Sequence, residues 1–98
     1  MKAAEAIIEN RRERRMKVFL RVEIRTVPEV HIAHLIDVSR HGAQVHCRAS
    51  IVVGAFVILE CPAISRRAKC VRVKSGRMGL KFIAPLSCDE LNVLVHCL

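Results

Sequence analysis

The chain contains no tryptophan and no tyrosine, and only three of its 98 residues are phenylalanine. The aromatic stacking platforms on which RNA and single-stranded DNA usually bind are therefore hard to build. The core must be filled instead by valine, isoleucine, leucine, alanine, methionine and cysteine, side chains that suit small interlocking strands. The five cysteines (Cys47, Cys61, Cys70, Cys88, Cys97) are odd in number and have no CxxC spacing. They are expected to be small core hydrophobes of a reducing cytoplasm rather than a disulfide framework or a zinc ribbon. No long apolar run occurs either: Ala3, Ala4, Ala6, Ile7 and Ile8 are interrupted by Glu5 and followed by Glu9. Neither a signal peptide nor a membrane span is expected, and the domain reads as cytoplasmic.

Catalytic signatures are also missing. There is no P-loop, no nucleophile beside a plausible base, and no clustered carboxylates for two-metal chemistry, so an enzyme is not expected. His31 and His34 form an HxxH, but three-residue spacing on a strand puts them on opposite faces, which argues against zinc. His46 and Cys47, as neighbours, likewise diverge and make a poor catalytic pair.

What the chain does have is positive charge. Its formal net charge is +8, gathered in two groups: Arg11, Arg12, Arg14, Arg15, Lys17, Arg21 and Arg25, and then Arg66 to Lys81. A concentrated field of this sign implies an anionic partner, whether nucleotide, nucleic acid, membrane surface or acidic protein. The length fits one domain, residues 1–98, with a single core and no internal repeat or linker.

Periodicity divides that domain into three parts. Residues 3–10 are good helix formers, expected to give one or two turns ahead of the arginines. From Met16 the period becomes two, with Met16, Val18, Leu20, Val22 and Ile24 on one face and Lys17, Arg21, Glu23 and Arg25 on the other, broken only by Phe19. The β-branched run VHIAHLIDVS predicts a buried strand ending at Asp37 to Gly42. AQVHC, AFVILEC after Gly54, AKCVRV after Pro62 and MGLKFI after Ser75-Gly76 complete six short strands with no helix between them. The expected fold is mainly β, a six-stranded antiparallel barrel over 16–84. Beyond Pro85, Ser87 and Glu90 form a capping box. Leu91, Leu94, Val95 and Leu98 then fall on one face of a C-terminal helix, 87–98.

Two short stretches carry the functional reading. RRERR places Arg11 and Arg15 four residues apart just before the first strand, in a segment (residues 1–15) expected to be flexible enough to fold over the barrel mouth. DVSRHG places Asp37 and Ser39 two apart at a strand end, expected on one face, with Gly42 permitting positive φ or a close backbone approach. Alone, DVSRHG also fits a strand ending in an Asx or Ser turn. Guanidinium groups bind phosphate bidentately, pair with the O6/N7 edge of guanine or stack on its ring. A carboxylate accepts from the N1–H and N2–H donors on the opposite guanine edge. Together they match a guanine nucleotide better than a bare phosphate.

Arg11 and Arg15 supply an RxxxR pattern, and Asp37, Ser39 and Gly42 a [DN]xSxxG pattern, one strand pair apart. With the Gly54-x-x-Val57-x-Leu59 strand, the late Gly-x-x-Phe of MGLKF and the closing helix, the chain resembles a stand-alone PilZ domain, the bacterial receptor module for cyclic di-GMP. The resemblance implies a six-stranded barrel with a C-terminal helix and cyclic di-GMP as ligand. Arg11 and Arg15 would contact phosphates and guanines, Asp37 and Ser39 would hydrogen-bond the ligand, and Gly42 would shape the turn. Arg12, Arg14, Arg40 and His41 are further candidates for the pocket. Asn10, just before RxxxR, lies where flanking residues influence whether one ligand or an intercalated pair is bound.

The mechanism expected from this is a disorder-to-order switch read by a partner protein, in a monomer or a ligand-dependent dimer. The competing readings are a PilZ-like adaptor without ligand and a small basic barrel for RNA or single-stranded DNA. Lys17, Arg21 and Arg25 are read as the solvated face of the first strand, and the basic group Arg66, Arg67, Lys69, Arg72 and Lys74 as a solvated barrel exterior by default, with an acidic-partner surface as the alternative.

Overall fold

The structure is a computed structural model that describes residues 15–96. The turns expected over residues 3–10, together with Arg11, Arg12, Arg14, Cys97 and Leu98, lie outside the described residues. The elements are β1 (Met16–Arg25), β2 (Val30–Val38), β3 (Gly42–Cys47), β4 (Phe56–Glu60), β5 (Ser65–Lys74), β6 (Arg77–Phe82) and α1 (Cys88–Val95). All pairs are antiparallel, and the sheet closes in the order β1-β2-β3-β6-β5-β4. The expected barrel and helix are present. Closure removes the edges that an open sheet of such β-branched strands would expose.

The core is aliphatic, as the composition requires. Val22, Ile24, Leu35, Val38, Val45, Leu59, Ala68 and Cys70 are 0–2% exposed and point into the barrel. Of the three phenylalanines only Phe82 is buried; Phe19 and Phe56 face solvent. Two expectations need correction. β2 is half-buried rather than buried: Ala33, Leu35 and Val38 face inward, while Val30 and Ile32 are exposed. An antiparallel strand with one solvated face needs only alternate residues inside, so β-branched side chains on its outer face do not make it a central strand. The cysteines are not all core hydrophobes either. Cys47 and Cys70 are buried, Cys61 is half-buried and Cys88 is exposed at the start of α1. Burial pushes the Cys70 thiol pKa up.

α1 starts where the capping box places it. The Ser87 hydroxyl accepts from Glu90 N at 3.0 Å, and the Ser87 backbone N–H donates to the Glu90 carboxylate at 2.8 Å. That backbone bond, with Arg66 reaching the same carboxylate from β5, holds the Glu90 pKa below its usual value. Leu91 and Leu94 are buried and join the core cluster, Val95 packs against it, and Leu86 is fully buried just ahead of the helix. The helix thus covers the barrel near the β2–β3 turn, because Leu86 N donates to Arg40 O at 2.7 Å and Arg40 Nε donates back to Leu86 O at 2.8 Å.

Candidate functional site

The site forms where β1 begins and β2 ends, brought side by side by the antiparallel register that pairs Met16 with Val38 and Lys17 with Asp37. Arg15 Nη1 donates to Asp37 Oδ1 at 2.7 Å. The arginine side chain is 42% exposed and the aspartate 15%, so the guanidinium lies at the surface over a half-sheltered carboxylate. The pair joins the two sequence patterns directly. A carboxylate has two acceptor oxygens, and the guanidinium has donors beyond Nη1, so both partners keep hydrogen-bonding capacity for a ligand.

Asp37 owes its outward direction to a bulge. Leu35 points inward and pairs with Val45, yet Asp37, two residues on, pairs with Gln44, the next residue of β3. Ile36 is the extra residue on β2. Strict alternation from Leu35 would send Asp37 into the core; the bulge resets the phase so that the carboxylate faces out and Val38 faces in.

The expectation that Ser39 shares a face with Asp37 does not describe this geometry. β2 ends at Val38, and Ser39 is fully buried. Its hydroxyl accepts from His41 N at 3.3 Å and Gly42 N at 3.2 Å and lies 3.4 Å from Gly42 O, which also accepts from Ser39 N at 2.8 Å. Ser39 thus holds the β2–β3 turn from within, the turn reading that the sequence left open. Gly42 uses the second of its two options. It does not adopt a positive φ; a Cβ there would stand 2.4 Å from Leu80 O in β6, so the residue is needed for close approach of two backbones.

Arg40 and His41, the other two candidates in DVSRHG, are both exposed. Arg40 ties the turn to Leu86, and the His41 carbonyl accepts from Phe82 N at 2.8 Å. Arg11, Arg12 and Arg14 lie outside the described residues. No cluster of three or more histidine, cysteine, aspartate or glutamate residues able to hold a metal occurs among those described.

Register also places residues beside Asp37 that the sequence did not point to. Lys17, Asp37, Gln44, Gly79 and Arg72 are successive partners across β1, β2, β3, β6 and β5. Gly79 leaves the middle of this row without a side chain, and a Cβ there would meet Arg72. A concavity of about 420 Å³ opens on it, lined by Gln44, Arg72, Arg77 and Gly79 among others. A larger groove of about 530 Å³ lies between β1 and the β4–β5 loop, lined by Leu20, Arg21, Glu23, Glu60, Cys61 and others; neither Arg15 nor Asp37 lines either cavity. Size alone is a poor guide here, because a pocket on an outer sheet face is shallow until something covers it.

A model of the PilZ domain family matches residues 9–98. The chain belongs to the PilZ family. Among solved structures it is similar to the PilZ domain of CeSA from a cellulose-synthesizing bacterium. That match has a TM-score of 0.63 and 18% identity, and it covers 84% of this chain and 94% of that one. At this identity the likeness speaks for the fold. No curated protein matches the chain. PilZ domains are known as cyclic di-GMP receptors and as ligand-binding or adaptor modules rather than enzymes. No helix among the described residues is long and apolar enough to cross a membrane.

Proposed function

We propose that this PilZ domain binds cyclic di-GMP on the outer sheet face around Arg15 and Asp37 and passes the signal to a partner protein in the cytoplasm. The single observation that carries the reading is the 2.7 Å Arg15–Asp37 pair, which unites the RxxxR and [DN]xSxxG halves at one point of the surface. In the proposed complex the Arg15 guanidinium forks onto the O6/N7 edge of a guanine or onto a phosphate, and Asp37 accepts from the N1–H and N2–H edge. Arg11 closes over the ligand from the other end of RxxxR, with Arg12 and Arg14 available beside it. Ser39 acts through the turn it holds, keeping Asp37 and the backbone of Arg40 and His41 in place.

The ligand therefore orders the segment ahead of β1 against the barrel, and the new surface is what the partner reads. A bidentate arginine contact to guanine discriminates by roughly 1–3 kcal/mol, and micromolar binding requires about 8 kcal/mol in all, so a few such contacts suffice after the cost of ordering. Calorimetry with cyclic di-GMP tests the reading, with Arg15→Ala as control. Saturable heat in the wild type, lost in the variant, supports it. Silence in the folded wild type, alone or with salt-sensitive oligonucleotide binding, rejects it in favour of the adaptor or the nucleic-acid reading respectively.

A further inference from the structure

The second basic group, expected to be a solvated exterior, has a property that only the register reveals. On the β5–β6 ribbon Lys69 lies opposite Lys81, and Lys74 lies opposite Arg77. Like charges directly opposite one another destabilise a strand pair. No ion pair among the described residues relieves these: Arg15, Arg25 and Arg66 each engage a carboxylate, whereas Lys69, Arg72, Lys74, Arg77 and Lys81 engage none. All five are exposed. Lys69 stands 5.9 Å over the Phe56 ring, the one aromatic contact of the group. Val71, 47% exposed, is the extra residue of β5 between Cys70 and Arg72, whereas Val73 pairs with the buried Met78 and so lies on the face opposite the cations.

A folded protein retains local conflicts of this kind where a function uses them. We infer that the outer face of the β5–β6 ribbon is a docking surface for an acidic segment of a partner protein. Charge complementarity selects an anion. Spread over two paired strands, five cations match a chain of carboxylates better than a single phosphate. The ribbon exposes no aromatic ring of its own, since Phe82 is buried, and Phe56 on the neighbouring β4 is already capped by Lys69, so there is no stacking platform for nucleic-acid bases. It also lacks the large apolar side chains with which proteins enter a membrane interface.

The test uses the full chain and three probes: a synthetic glutamate-rich peptide, an oligothymidylate and vesicles of anionic phosphatidylglycerol. Amide NMR of the labelled protein maps each onto the sheet. The peptide is expected to shift β5 and β6 resonances, and Lys69→Glu is expected to weaken it roughly ten-fold. The same substitution puts a carboxylate across from Lys81, so the melting temperature of the free domain is expected to rise as binding falls. A purely solvated face would not couple those changes in opposite directions. Calorimetry with cyclic di-GMP on Lys69→Glu keeps this inference separate from the proposed function, because Lys69 belongs neither to the Arg15–Asp37 pair nor to the concavity on the Asp37–Gln44–Gly79–Arg72 row, and the nucleotide is expected to bind as in the wild type. Tighter binding of the oligonucleotide or the vesicles than of the peptide on these residues, or no response to the peptide, overturns the inference.

Discussion

β1 carries an arginine–carboxylate pair at each end, and the two are alike in everything the residue names convey. Arg15 meets Asp37 at 2.7 Å and Arg25 meets Glu60 at 2.8 Å, with the arginines 42% and 43% exposed. Their geometry separates them. Arg25 places both Nε and Nη2 on Glu60 Oε1, and Ser65 donates to Oε2 at 3.1 Å, so the carboxylate is occupied on both oxygens. That pair spans β1 and β4, the seam where the barrel closes. Arg15 makes one contact to one oxygen and sits where β1 begins. The Arg25–Glu60 pair is finished as a clamp; the Arg15–Asp37 pair retains hydrogen-bonding capacity. Satisfaction of hydrogen bonds, rather than distance or exposure, separates the two pairs.

Substitutions can break that contrast. Gly42→Val is expected to have the largest effect. Its side chain would have to enter the 2.4 Å space against Leu80 O, and a loss of about 2–4 kcal/mol in denaturant unfolding is expected, with the ligand face lost as β3 and β6 separate. Next is Arg15→Ala, expected to reduce cyclic di-GMP affinity roughly ten- to a hundred-fold by calorimetry while leaving the melting temperature nearly unchanged. Arg25→Ala should give the reverse, a lower melting temperature with unchanged affinity. Equal behaviour of the two variants would erase the distinction drawn between the pairs.

Smaller effects sharpen the comparison. Ser87→Ala removes the N-cap of α1 and is expected to cost about 1 kcal/mol without touching ligand affinity. The smallest effect is a pH dependence. The hydrogen bonds from Arg25 and Ser65 hold the Glu60 pKa below its usual value. A depressed carboxylate contributes stability that is present above its unfolded pKa and lost as pH falls through the folded one. The difference in melting temperature between wild type and Glu60→Gln should therefore be present at neutral pH and shrink under acid. A difference that grew under acid would contradict the clamp.

Much of this was legible in the chain. The two-residue alternation of β1, the turn signals at Gly54 and Ser75-Gly76 and the Ser87/Glu90 capping box are local, and each appears where its pattern indicated. The two motifs were legible as well. The bulge at Ile36 was not, because nothing in VHIAHLIDV separates an extra residue from an ordinary outward one until β3 supplies the partner. Nor was the burial of Ser39, which depends on where β2 stops. The like-charge pairs of β5 and β6 needed the register across the hairpin, since a one-residue slip would have placed different residues opposite one another.

The sequence by itself determined the period of each strand, the start of the helix, the aliphatic character of the core and the sign of the charge. These follow from neighbouring residues and from composition. Tertiary structure alone decided that Asp37 turns outward to meet Arg15, that Gly42 is needed for contact with β6 rather than for a turn conformation, and which cations face each other. Those outcomes depend on pairing between strands far apart in the chain, where one shift in register changes every neighbour at once.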